Sequence, residues 1–536
     1  MDERGSGSGR VAAVFVALLS LLTLAALYAP RFEQARLAAR VAPPVRPVMP
    51  AVEVWLSTAD HKMKLAPQPG VLMGARGEAP ADIAIDIDAR YQTITGFGAA
   101  LTDASAWLIR NRLTEPQRQA LLRELYGPPP SLNFNMMRLT IGASDFSLNL
   151  YTLDDIPFGQ TDPQLQYFNV AFNLPDLIPT VRDILAINPG LLIVASPWSA
   201  PAWMKDSQNL IGGELLEEHE GAYADYLIKY LDTYRGHGIP IYALTLQNEP
   251  NYSPISYPGM LMGAKTRARI IANYLGPKLA KRTPRTRILD WDHNWSHPEQ
   301  PLAVLADPAA ARYVDGVAWH CYEGSQHAQG RVHREHPDKD TFITECSGGD
   351  WPLNMNGELL WFARNLLVTG TRQWARGVIY WNLALDETHG PHFGGCTLCN
   401  GVITIDSGTG AVTRTDEYYA LAHFSRFVLP GAVRVRSTDT DADKGIANVA
   451  FRNATDGSIV LVMVNIRTKS RPVSVVQGGN RFEYTMPPES VATLVWNPDP
   501  AEMWIRRAYQ WLHGSPFPLK ASDPRSSPPE PADSPR

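Results

Sequence analysis

Two glutamates are the residues best placed to do chemistry. Glu249 stands in Gln247-Asn248-Glu249-Pro250, directly after the apolar run Tyr242–Leu246. Glu345 closes the apolar run Phe342-Ile343-Thr344-Glu345. Either one alone reads as a solvated or salt-bridged strand-end residue. Brought together, two carboxyls can break a glycosidic bond: one protonates the departing oxygen while the other attacks the anomeric carbon. That division of labour needs a gap of about 5 Å between them. It also needs surroundings that keep one protonated and the other ionised.

The elements that must position this pair are legible as short apolar runs. Eight occur in order: Tyr91–Gly98, Met136–Phe146, Leu191–Trp198, Tyr242–Glu249, Arg287–Asp292, Gly316–Tyr322, Thr341–Glu345 and Gly377–Asn382. Their lack of polar alternation suits strands buried on both faces. Helical spacing separates them. Tyr223, Tyr226, Leu227, Tyr230, Leu231 and Tyr234 step by three and four onto one helix face, and Leu360, Phe362, Leu366 and Leu367 do so less tidily. Eight strand-then-helix units predict an α/β fold, a (β/α)8 TIM barrel, whose chemistry sits at the C-terminal ends of the strands. Glu249 and Glu345 fall on the fourth and seventh strands, across the barrel mouth from each other. The same ends carry Asp145, Trp198, Asn248, Asp292, His320, Tyr322, Trp381 and Asn382. Gly96-Phe97-Gly98 lacks the third glycine of a dinucleotide fingerprint and reads as a tight strand-end turn.

Longer stretches resemble glycoside hydrolase family 30, the family of lysosomal acid β-glucosidase (glucosylceramidase). They are Ile94-Thr95-Gly96-Phe97-Gly98-Ala99-Ala100-Leu101-Thr102-Asp103, then Met137–Ser147, Ala195–Lys205, Tyr380–Asp386 and His423–Val428. The resemblance runs in order over residues 51–498. It implies Glu249 as general acid/base and Glu345 as nucleophile of a retaining β-glycoside hydrolase that works by double displacement. It further implies Asn248 on the sugar 2-hydroxyl, Asp145 and Trp198 on the distal hydroxyls, and Trp381 offering a ring face to the same subsite. Arg138 would lie beneath the carboxylates and favour an ionised Glu345. Tyr322, with His320 two residues before it, would hydrogen-bond and orient that nucleophile. Each role has a plainer rival: Arg138 as a structural ion-pair partner, the indoles as packing, His320 as a satisfied strand-end histidine. Trp203 and Trp291 stay undecided between packing and subsite wall, and Asp103 and Asp292 read as structural. The implied activity is β-glucosidase or glucosylceramidase-like. An endo-β-1,6-glucanase, a xylan-active enzyme of the same family, or a non-catalytic envelope glycan-binding protein are the alternatives.

Composition limits the rest. The chain has 536 residues, 45% hydrophobic and 19% charged, with a net charge of −5, which excludes a disordered chain and a dedicated nucleic-acid binder. Four cysteines are too few for a disulfide scaffold. Cys396-Thr397-Leu398-Cys399 leaves zinc, a local disulfide or free thiols open, with Cys321 and Cys346 beside His320 and Glu345. No metal or organic cofactor is expected. Residues 1–50 hold the uncharged run Val11–Tyr28, read as a signal anchor or cleaved secretory signal, then a stiff Pro-rich linker, Ala42–Pro50. The protein is therefore expected to be membrane-anchored or secreted, with its catalytic domain outside the cytoplasm. Residues 51–80 are expected to lend a strand (Val52–Leu56) to a β-sandwich, 81–430 to form the barrel, and 431–498 the rest of the sandwich. Residues 499–536 read as a tail with a short amphipathic helix around Met503–Leu512, then disorder.

Overall fold

The computed structural model describes residues 51–351, 357–441 and 445–498. The expected signal segment, linker and tail helix lie outside these. Among the described residues no helix is long and apolar enough to cross a membrane.

Eight parallel strands close into a barrel: β1 Gly96–Ala100, β2 Met136–Ile141, β3 Leu192–Pro197, β4 Ala243–Thr245, β5 Arg287–Asn294, β6 Gly316–His320, β7 Asp340–Glu345 and β8 Ala375–Asn382. Met136, Val194, Ala243, Leu289, Ala318, Phe342 and Ile379, one from each of β2 to β8, form one apolar cluster in the barrel interior. Close approach between β1 and β2 depends on Gly98, where a Cβ would overlap the Met136 carbonyl. Around the barrel, the helix Glu220–Gly236 buries the tyrosine face expected of it. The untidy apolar spacing after Leu360 has a physical reason. That helix starts with α-type turns at Glu358–Trp361 and continues through wider π-type turns over Phe362–Thr369, so apolar residues recur at a longer step.

The second unit is a ten-stranded, almost wholly antiparallel sheet, curled into a sandwich and drawn from both ends of the described chain. Ala51–Thr58 lies between Ala66–Leu72 and Ser490–Trp496, as the expected clamp requires. One expectation is corrected. Ile83–Thr93 is not part of the barrel but pairs with Val433–Ser437 and Arg471–Gln477. The barrel thus begins after Thr93 rather than at residue 81, and the run read as Tyr91–Gly98 is two strands. The signal was present: Ile83, Ile85 and Ile87 alternate with Ala84, Asp86 and Asp88, a one-sided pattern unlike the barrel runs.

Ile446–Arg452 and Ile459–Asn465 have no polar face because both of their faces are buried. Ile446, Ala450, Ile459, Leu461 and Met463 fill the sandwich core, while Ala447, Val449, Phe451, Val460, Val462 and Val464 join the core shared with the barrel.

Candidate active site

The site follows from strand periodicity. Side chains two residues apart share a face. Two positions beyond the apolar cluster, the inward residues turn polar: Arg138 on β2, Ser196 on β3, Thr245 on β4, His320 on β6 and Thr344 on β7. All five donate to one carboxylate, Asp292. Its Oδ2 accepts from Arg138 Nη2 (2.8 Å), Ser196 Oγ (2.6 Å) and Thr245 Oγ1 (2.8 Å). Its Oδ1 accepts from His320 Nε2 (3.1 Å) and Thr344 Oγ1 (2.6 Å).

Asp292 breaks the two-residue rhythm of its own strand, since Leu289 is the inward apolar residue. The backbone explains how. Trp291 and Asp292 both take positive φ (78° and 57°), and the pairing register with β6 shifts there. The resulting bulge turns Asp292 inward. A non-glycine pair in that region is strained, and such strain concentrates at functional sites. Glu249 is a third case (φ 49°), its N–H bonded to the Asp292 carbonyl at 3.0 Å.

Above this layer sit the two glutamates. One carboxylate oxygen of each lies within 4.8 Å of the other, with a His320 ring nitrogen inside the same limit. Arg138 pairs with Glu345 through Nη1 and holds the Asn248 side-chain oxygen through Nη2 at 2.8 Å. The Tyr322 hydroxyl donates to Glu345 at 2.8 Å. His320 Nδ1 faces Glu249 at 3.0 Å. Trp198 and Trp381 stack with ring centroids 4.9 Å apart, and the Arg138 guanidinium lies over both indoles. Asp145 accepts from the Trp381 side chain. All nine residues singled out from the sequence thus lie in one mouth. One detail differs: Trp381 is buried and gives a ring face to Trp198, so that face is not free for a sugar.

Charge is distributed in a definite way. Burial opposes a charged His320, but Glu345, Asp292 and Glu249 outweigh it and raise its pKa to about 9. Both its nitrogens face carboxylates, an arrangement that favours the imidazolium. Burial pushes Asp292 up, yet Arg138 and His320 carry it well below the usual carboxylate range. Burial, with Glu345 next, drives Asp145 well above that range. Of the pair, burial and the Glu249 charge raise Glu345 against His320, Arg138 and Tyr322. Burial of Glu249 is overcome by His320, which with His293 and Arg138 lowers it. The two titrate as a unit.

Sequence reasoning took Asp292 as structural and passed over Thr344, Ser196, Thr245 and Tyr257. Tyr257 packs against the cluster of Phe146, Trp198 and Trp381. Burial, and after it Asp145 and Glu249, raises its phenol. Only a polar residue two positions past each inward apolar one could have pointed to the Asp292 layer. Trp203 and Trp291 settle as packing: their indole N–H groups donate to Asp154 and to the Asn294 carbonyl. The cysteines form two disulfides, Cys321–Cys346 and Cys396–Cys399, which resolves the open choice among zinc, thiols and a bridge.

Comparison with known proteins gives this geometry a family. A family model described as the glycosyl hydrolase family 30 TIM-barrel domain matches residues 94–428. The chain belongs to glycoside hydrolase family 30. A second model, the family 30 beta sandwich domain, matches residues 431–494. This family 30 chain is 36% identical over 432 residues to an endo-1,6-beta-D-glucanase of Neurospora crassa, covering 77% of itself and 88% of that protein. It is 29% identical to the lysosomal acid glucosylceramidase of Mus musculus, covering 76% and 82%. A solved endo-beta1,6-glucanase structure superposes with a TM-score of 0.75 at 30% identity, over 83% of this chain and 99% of that one.

Proposed function

We propose that this family 30 glycosidase hydrolyses β-linked glucans with retention at the anomeric carbon, β-1,6-glucan foremost. The observation that carries retention is the separation of the Glu249 and Glu345 oxygens, within 4.8 Å. Retaining pairs stand about 5–5.5 Å apart, whereas inverting pairs leave a wider gap for water. Glu345 is the nucleophile: a guanidinium and a phenol fix its two oxygens, leaving its outward face for the anomeric carbon. Glu249 is the acid that protonates the leaving oxygen and then the base that activates water. Asn248, pinned by Arg138, meets the 2-hydroxyl, and Asp145 and Trp198 meet the distal hydroxyls. Trp381 positions Asp145 rather than stacking on the sugar.

The preference for β-1,6-glucan rests on the 36% identity to an endo-1,6-glucanase against 29% to a glucosylceramidase. A glucosylceramide reading keeps one specific support. Tyr252, Ile255, Tyr322, Phe393 and Leu398 are exposed on loops that follow β4, β6 and β8, an apolar rim suited to an aliphatic aglycone. A panel of β-1,6-glucan, xylan, glucosylceramide and an aryl β-glucoside decides. The expected result is highest kcat/KM on β-1,6-glucan; a preference for glucosylceramide over every glucan overturns it.

We further place the catalytic domain outside the cytoplasm, held at the membrane by the segment around Val11–Tyr28. The pairing of all four cysteines supports an oxidising compartment. Protease added to intact cells is expected to degrade the barrel; full protection contradicts this placement.

A further inference from the structure

We propose that the Cys321–Cys346 disulfide is a positioning device for the reaction, a covalent clamp that sets Glu345 against His320 and Tyr322, and that reducing it slows turnover. The inference rests on the catalytic reading above.

β6 and β7 run side by side in regular register from Gly316↔Asp340 to Trp319↔Ile343. The register then slips. The next pair is His320↔Glu345, which leaves Thr344 as an extra residue without a partner across the ladder. The extra residue has a use, since Thr344 Oγ1 reaches Asp292 at 2.6 Å. It also interrupts the regular ladder at the row that carries the chemistry. The disulfide joins the two residues that immediately follow that row.

What it holds is specific. Cys321 lies between His320 and Tyr322, and Cys346 follows Glu345, so the bridge joins the donor-bearing strand end to the nucleophile-bearing one. The contacts across this joint are Tyr322 Oη to Glu345 at 2.8 Å and His320 Nδ1 to Glu345 at 3.8 Å, with the same Nδ1 at 3.0 Å from Glu249. Cys346 is itself tied to the next strand, its carbonyl accepting from Trp381 N–H at 2.9 Å. Reduction by a dithiol breaks the S–S bond. The dithiol supplies two electrons and two protons, two cysteine thiols form, and the reductant closes to its own disulfide. Cys346 is fully buried and Cys321 partly exposed, so attack comes at the Cys321 sulfur. Released, the two strand ends keep the His320↔Glu345 ladder pair and the side-chain hydrogen bonds but lose the covalent tie one residue beyond them. A displacement of about 1 Å at reacting atoms costs about a hundredfold in rate.

The second disulfide must be removed from the readout, because the loop carrying it packs on Asp145 through Phe393 N–H. The experiment therefore uses the full-length C396S/C399S protein, assayed with an aryl β-glucoside before and after a dithiol reductant, with thiols counted by alkylation and mass. Hydrolysis by the oxidised protein must be present first; its absence counts against the catalytic reading, not against the clamp. The expected result on reduction is two new thiols, a kcat lowered about tenfold or more with KM changed less than about twofold, a shifted kcat pH profile, retained cooperative melting, and recovery on reoxidation. A full-length C321A/C346A variant should show the same kcat loss and pH shift. Two released thiols with kcat and pH profile unchanged overturn the proposal. So does a C321A/C346A enzyme with normal kcat. If the bridge resists reduction and the variant fails to fold, the bond is a folding staple and the positioning claim falls.

Discussion

At the residue scale the two glutamates should fail differently. Glu345→Ala removes the attacking oxygen and should cut turnover by about four decades or more for every substrate. Glu249→Ala removes only the proton donor. It should cost about 10²–10⁴-fold with poor leaving groups and far less, in the first step, with nitrophenyl-type ones that need no proton. Equal losses across leaving groups contradict the assignment. The pH dependence carries a sign. The reactive state needs Glu249 protonated and Glu345 ionised. Glu249 is held below its ordinary value, so its protonated share grows as pH falls. Glu345 is held above its own, so it takes up the first proton of the pair, and the reactive arrangement is the minor singly protonated form, lost when the second proton binds. kcat/KM should therefore rise as pH drops below neutrality, peak in the acidic range and fall again. A profile flat from about pH 5 to about pH 8 contradicts this. Glu249 and Glu345 were legible because each closes an apolar run, and Arg138 through the family resemblance. Asp292 was not, because only the bulge of β5 reveals that it points inward.

At the element scale the barrel was readable because strands buried on both faces leave unalternating apolar runs. The boundary at Thr93 was misread because two strands from different sheets follow one another with only Ile94 and Thr95 between them. β4 is three residues long against the eight read for its run, because the chain turns at Leu246 to present Asn248 and Glu249. The β1–β2 junction gives a direct test. Gly98→Ala would set a methyl group against the Met136 carbonyl, backbone that cannot swing away. We expect a loss of about 3 kcal/mol or more, seen as a lowered denaturant midpoint, with activity lost in parallel. An unchanged midpoint would show that these strands do not approach as described.

At the scale of the whole molecule, barrel and sandwich share a buried apolar core. They are also joined through His423, buried and held neutral with its pKa down at about 3. Its ring nitrogens meet Thr493 Oγ1 at 2.8 Å and Ser57 Oγ at 2.9 Å. Deleting residues 51–93 removes Ala51–Thr58, Ala66–Leu72, Gly74–Ala75 and Ile83–Thr93, four of the ten sheet strands. It leaves one edge of Ser490–Trp496 unpaired. The truncated chain should be insoluble or melt without cooperativity; a soluble product with the parent's melting midpoint contradicts a sandwich built from both ends. The two strand-end glutamates and the family motifs made the enzyme class readable from sequence, whereas the substrate's linkage lives in loop shapes that pattern does not encode. Retention by double displacement requires a sugar bonded to one carboxylate oxygen. Incubation with a 2-deoxy-2-fluoro-β-glucoside bearing a good leaving group, followed by peptide mass mapping, should find a single fluoroglucosyl adduct on Glu345. An adduct on Glu249 or elsewhere, or time-dependent inactivation with no adduct at all, contradicts it.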